Sequence, residues 1–217
     1  MLKSKKTTEQ VHKLVTEIDN DPDNYQTYYD LCMLLINEES FDQAEQLLNQ
    51  SLVKFKSNDQ ARSLFEYGIG ILLYTNQMYE KAIPVFKLVD DPKLQHDAYL
   101  MTAQSYYALS QYKMAFAFAL TASEGHKQDP DTNKLLGDIQ LATGDLKSAR
   151  DYYDTALKND HSNELVFNRG IVEAGLEEGN SINNKYFDQV KRADPKYFEN
   201  AKQKLEDINK LITNKEN

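Results

Sequence analysis

The groups in this chain that could do chemistry are scattered rather than convergent. The four histidines, His12, His96, His126 and His161, would act as metal ligands or proton shuttles only with partners at ligand spacing. No HExxH, cysteine pair or matching carboxylate spacing accompanies them. Cys32 is the one cysteine, so it cannot close an internal disulfide, which agrees with a reducing compartment. Glu177-Glu178 and Asp90-Asp91 read as solvated turn charges rather than acid/base pairs. Gly68-Ile69-Gly70 lacks the third glycine and the preceding strand of a phosphate-binding loop, and reads as close helix packing. The expectation is a non-enzyme with no catalytic, cofactor-binding or metal-binding residue.

Composition narrows the partners. A net charge of −9 sets an average field that repels phosphate backbones and anionic lipid, so neither nucleic acid nor membrane is expected as a partner. The opening Met-Leu-Lys-Ser-Lys-Lys is basic, but Thr7-Thr8-Glu9-Gln10 follow it in place of the apolar run of a secretory signal. The apolar run over 69–74 is far too short to span a bilayer. A cytoplasmic protein is expected. Lysine outnumbers arginine 21 to 4, which suggests an AT-rich, bacterial coding genome.

The elements that must position any site are helices in a repeating array. Strong helix formers and periodic apolar residues dominate, without alternating β-branched runs. Ala44, Ala82, Ala115 and Ala149 recur at intervals of 38, 33 and 34 residues, each between bulkier hydrophobic neighbours. Asp-Pro pairs at 21/22, 91/92, 129/130 and 194/195 punctuate the same phase. Between 131 and 160, Leu135, Leu136, Ile139 and Leu141 form one helical face. Gly144 breaks it, and Leu146, Ala149, Tyr152, Tyr153, Ala156 and Leu157 form a second. The unit is a helical hairpin, and small residues are needed where its two helices cross. The long first interval predicts an extra helical turn between Phe55 and Phe65.

Position by position, these hairpins resemble the tetratricopeptide repeat. The fourth unit carries Leu136-Gly137, Gly144, Ala149, Tyr153 and Ala156, with Asn133 where the family usually has an aromatic. The first carries Tyr28, Leu31, Cys32, Leu35, Phe41, Ala44 and Leu48. The third carries Tyr99, Ala103, Tyr106, Tyr112, Ala115 and Ala122. The second carries Ile69, Gly70, Leu73, Tyr79, Ala82 and Phe86, with Glu66 in place of the early aromatic, Phe65 beside it, and Pro84 early in its second helix. Cys32, Gly70, Ala103 and Gly137 share one small first-helix position, so Cys32 reads as a packing residue.

The resemblance implies an all-α, right-handed superhelical solenoid of about five helical hairpins with N- and C-terminal flanking helices. One continuous body is expected. Its divisions are a flexible basic N-terminus over 1–8, a half-repeat helix over 9–20, and repeats over 21–58, 59–92, 93–129 and 130–162. A degenerate fifth repeat over 163–195, a capping helix over 196–211 and a tail over 212–217 complete it. In the fifth repeat Asn183 stands near the expected alanine and the turn falls around Gly179-Asn180-Ser181. The cap offers Tyr197, Ala201, Leu205, Ile208 and Leu211.

In this family the first helices line a concave groove. The inward positions carried over are Tyr29, Met33 and Ile36 in the first unit and Tyr67, Ile71 and Tyr74 in the second. The third gives Leu100, Gln104 and Tyr107, the fourth turns polar with Lys134 and Asp138, and the fifth returns Phe167 and Ile171. The same stripe is equally consistent with packing between adjacent first helices. The lysine, asparagine and arginine clamp by which some relatives hold chaperone tails is absent, since Tyr29, Asp30 and Met33 stand at the corresponding places. The resemblance thus implies a non-catalytic scaffold for a protein or peptide partner, needing no cofactor. The alternatives are a self-assembling structural module, which would be a homo-oligomer, or a regulatory or adaptor subunit of an enzyme complex.

Overall fold

The computed structural model describes residues 5–176 and 184–213, which form twelve helices and no strand. The chain divides into two compact units, Met1–Ala122 and Ser123–Asn217. The first unit holds α1 (Lys5–Asn20) and three hairpins. These are α2 (Tyr25–Asn37) with α3 (Phe41–Lys54), α4 (Asp59–Thr75) with α5 (Tyr79–Phe86), and α6 (Gln95–Ala108) with α7 (Tyr112–Ser123). The second unit holds α8 (Pro130–Thr143) with α9 (Leu146–Ala156), α10 (Asn163–Leu176) with α11 (Lys185–Ala193), and α12 (Pro195–Thr213). The division falls at the last residue of α7, whose buried residues are all alanine: Ala115, Ala119 and Ala122.

The helices begin where side chains can satisfy their free N–H groups. Asn24, Asn58, Asp129, Asp145 and Asn184 each accept from a backbone N–H in the following first turn. The Asp-Pro pair at 129/130 acts as cap and first helical residue. α1 starts at Lys5, inside the stretch expected to be flexible, because Thr7 is buried and its hydroxyl donates to Glu38 at 3.1 Å. α4 begins eleven residues before Gly70, whereas α2 begins seven before Cys32 and α8 seven before Gly137. The long first interval is therefore absorbed as one extra turn at the start of α4.

The hairpin turns repeat with the alanines. Glu39, Gln77, Ser110 and Gly144 each stand five residues before one of the four alanines, and all have φ between 57° and 85°. At each turn two bonds close the preceding helix. Glu39 N–H donates to Ile36 and Ser40 to Leu35, both at 2.9 Å, and the pattern recurs for Gln77 and Met78, Ser110 and Gln111, and Gly144 and Asp145. This is the closure that a left-handed residue permits at a helix end. Three of the four turns impose that conformation on a residue with a Cβ.

The crossing itself is a pairing of absence with bulk. A Cβ added at Gly70 would stand 2.4 Å from the Phe86 ring, one at Gly137 2.5 Å from Tyr153, and one at Gly170 2.7 Å from Phe187. The first-helix gap is thus filled by the ring four residues beyond the alanine. Where the first helix has Cys32 or Ala103, the second has the smaller Leu48 or Ala119, all four buried. In the fifth hairpin Gly170 and Phe187 are 17 residues apart instead of the 16 that separate Gly70 from Phe86. Asn183, the turn around Gly179 and the Glu177-Glu178 pair lie outside the described residues.

Three local departures have physical reasons. Asn133 is buried and donates to the carbonyls of Lys127 (3.0 Å) and Asp129 (2.7 Å), tying down the loop before α8 where an aromatic would only fill space. Phe65 is fully buried and stacks on Phe55, leaving Glu66 beside it half-buried. Pro84 lies in the last turn of the eight-residue α5, not early in it, and leaves the Glu80 carbonyl without its helical N–H partner. At the C-terminal end Tyr197, Ala201 and Leu205 of α12 pack on Val166, Phe167, Phe187, Val190 and Phe198. The side chains of Ile208 and Leu211 lie outside the described residues.

Gly70→Ala is expected to destabilise the protein by about 1–3 kcal/mol, despite alanine's better helix propensity, because the Phe86 ring has no free volume to move into. Urea denaturation checks this. In a Phe86→Leu background the same change should cost clearly less.

Candidate functional site

In the first unit α2, α4 and α6 run as successive first helices, and α4 packs on both of the others. They bring Tyr29, Met33, Tyr67, Ile71, Tyr74, Gln104 and Tyr107 to half-buried positions. Ile36 and Leu100 are core instead, 2% and 8% exposed, so neither presents a side chain to a ligand. The Tyr29 ring lies against α4 where Gly68 leaves room, 3.2 Å from where a Cβ would be. Tyr67 packs on Phe86, Tyr74 on Tyr79 and Tyr107 on Tyr112, with ring centroids 5.2–5.7 Å apart. One side of each ring therefore belongs to the hairpin.

The electrostatics of this face are one-sided. Burial pushes the Tyr67 phenol up to about 12, and the Asp97 carboxylate adds to the shift. Burial likewise holds the Tyr29 phenol well above its ordinary value, reinforced by Tyr67, Asp30 and Asp97. Both hydroxyls stay protonated near neutrality. Asp97 and Asp30 were not legible as site residues, although Asp97 stands one helical turn before Leu100 and Asp30 directly follows Tyr29.

In the second unit the corresponding positions are committed to one another. Lys134 Nζ is 3.1 Å from Asp138 and 3.0 Å from Glu164. Burial works against its charge, but the two carboxylates outweigh it and hold its pKa above the ordinary lysine value. Asp138 also accepts from the Tyr153 hydroxyl at 2.7 Å and from Asn168 Nδ2 at 3.1 Å. Phe167 is buried between Phe187, Tyr197 and Phe198, and Ile171 packs beside that cluster. Arg169, whose side chain is 5% exposed, is neutralised by Asp154 and Glu173, each at 2.6 Å, and lies over the Tyr186 ring.

The remaining reactive groups do not converge. Among the described residues no three metal-ligating side chains come together, and no helix is long and apolar enough to cross a membrane. His96 Nδ1 lies 2.8 Å from the Ala122 carbonyl and His12 is 3.3 Å from Thr16, while His126 and His161 are exposed. Cys32 is fully buried, and burial pushes its thiol up to about 12.

Two measurements test these assignments. Asp138→Ala is expected to cost about 2–4 kcal/mol in denaturant unfolding, because it removes the acceptor 2.7 Å from the Tyr153 hydroxyl and half of the Lys134 pairing; Asp138→Asn, which keeps an acceptor, should cost less. At pH 8 the native Cys32 thiol should react with a disulfide reagent at least ~100-fold more slowly than in the urea-unfolded chain. Comparable rates would place it at an accessible site.

No family model matches the sequence, and no curated protein matches it. Solved structures do. YrrB, described as a TPR protein with an unusual peptide-binding site, aligns over 88% of this chain and 97% of its own, with 18% identity and a TM-score of 0.60. PilF of Pseudomonas aeruginosa aligns over 93% and 90%, with 16% identity and a TM-score of 0.73. PilW, a widely conserved type IV pilus biogenesis factor, aligns over 88% and 87%, with 14% identity and a TM-score of 0.73. At such identities the likeness concerns the path of the backbone, and that path is the fold of the tetratricopeptide-repeat proteins.

Proposed function

We propose that this protein is a non-catalytic scaffold that holds a segment of a partner protein against the face formed by α2, α4 and α6. The observation that carries the reading is the set of half-buried tyrosines, Tyr29, Tyr67, Tyr74 and Tyr107, supplied by three different hairpins to successive first helices. Tyr67, Tyr74 and Tyr107 are each held on one side by their own hairpin, and Tyr29 by α4 of the next, so little side-chain entropy remains to be lost on contact. Amphipathic, immobilised rings of this kind are what contact surfaces favour. Similarity in fold to YrrB, which is described as having a peptide-binding site, points the same way.

The second unit supports the division of labour. Its Lys134, Asp138 and Glu164 neutralise one another, so a ligand there would have to displace existing ion pairs. The tyrosine face asks for no such exchange. Two apolar anchors gaining roughly 1.5–3 kcal/mol each would leave, after the cost of ordering a peptide, an affinity of about micromolar.

Replacing Tyr67, Tyr74 and Tyr107 together by alanine should weaken capture of partner proteins from a native extract at least ~10-fold, with helicity and cooperative melting retained. Retention of the same partners by the folded triple variant would overturn the assignment.

A further inference from the structure

The three helices of the tyrosine face carry carboxylates and few cations. Between them α2, α4 and α6 contain one arginine, one histidine and no lysine. Arg62 is occupied, donating to Asp90 at 2.7 Å and lying 3.1 Å from Asp59. His96 Nδ1 lies 2.8 Å from the Ala122 carbonyl, and its other ring nitrogen is 3.9 Å from Asp97. Opposite them stand Asp30, which accepts from Gln26, and Asp97, whose side chain is 53% exposed.

Elsewhere the protein covers its aromatic rings with its own cations. Lys54 lies over Tyr28 and Phe55, Lys87 over Tyr106 and Phe118, and Arg169 over Tyr186, at 4.5–5.6 Å. The rings of Tyr29 and Tyr67 instead have carboxylates as their charged neighbours: Asp30 follows Tyr29 in the chain, and Asp97 stands in the first turn of α6, which packs on α4, and raises both phenols. A ring face attracts a cation through its quadrupole, and a carboxylate beside it completes the pairing. A neutral or acidic ligand would gain neither.

Resting on the scaffold reading above, we propose that the bound segment presents a lysine or arginine next to an apolar residue. The cation is received against Tyr29 and Tyr67 and paired with Asp97, while the apolar neighbour lies toward Ile71 and Tyr74. Charge of this sign also matches the protein's net −9, which favours encounter with basic segments at low salt.

The test is selection from a random dodecapeptide display library on the full chain, followed by fluorescence-polarisation titration of the enriched peptides. Peptides with lysine or arginine beside an apolar residue should be enriched. Their affinity should fall roughly 5–20-fold in Asp97→Asn and fall again between 50 and 500 mM NaCl, since the pair is partly exposed. Asp97→Lys should turn the selection toward aspartate and glutamate. Both variants alter an exposed side chain, and their melting curves verify the fold. Enrichment of neutral or acidic peptides by the native chain, or unchanged binding of basic peptides by Asp97→Asn and Asp97→Lys, overturns the proposal. If those neutral peptides are lost in the triple tyrosine variant, the face stands and only the basic anchor falls. If the native chain enriches nothing, both readings fall together.

Discussion

The structure depends on one steric exchange at the hairpin crossing: in three hairpins a first helix gives up its side chain so that its partner can bury a ring. Glycine inside a helix costs about 1 kcal/mol relative to alanine. A buried aromatic ring contributes about 2–3 kcal/mol, and close approach of the helices adds dispersion contacts. The exchange is therefore favourable wherever Gly70 meets Phe86, Gly137 meets Tyr153, or Gly170 meets Phe187. It is also volume-conserving, since Cys32 and Ala103 occur where the second helix has Leu48 or Ala119. In the fourth hairpin the ring brings a hydroxyl with it, and Asp138 accepts its hydrogen bond. The packing of α8 on α9 thereby fixes a charged residue of the first-helix face.

That coupling separates the two units in character. Tyr153, Asn168 and Lys134 all converge on Asp138, and Glu164 completes the neutralisation of Lys134, so the polar groups satisfy one another. In the first unit the equivalent positions hold tyrosines whose hydroxyls are half-buried and kept protonated, with carboxylates but no paired lysine nearby. A surface whose charges are already satisfied offers a ligand little without the loss of existing pairs.

How much of this was legible follows from which residues the backbone constrains. The spaced alanines and the small residues at 32, 70, 103 and 137 mark the hairpins because nothing larger fits there. The left-handed turns were legible only at Gly144; Glu39, Gln77 and Ser110 adopt the same conformation under tertiary constraint, against their own preference. Pro84 was misplaced because α5 is cut to eight residues, a length that apolar spacing alone does not reveal. Ile36 and Leu100 were carried over as groove positions by register, yet register cannot tell which of several inward residues the neighbouring helix covers. The fifth hairpin resisted phasing because its ring comes one residue late.

The contrast between two neighbouring positions shows why fold and recognition separate in this chain. Three residues before each small position stand Tyr29, Tyr67, Leu100, Lys134 and Phe167, a set with no shared size or charge, whereas the small position admits only Cys, Gly or Ala. The hairpin crossing dictates the second set and leaves the first free to differ from repeat to repeat. A side chain released from packing in this way can be chosen for what it touches outside the hairpin. In the fourth and fifth hairpins that freedom is spent on the ion pair of Lys134 and on burying Phe167 under α12. In the first two it leaves Tyr29 and Tyr67 half-buried, so the crossing fixes their place but not their chemistry.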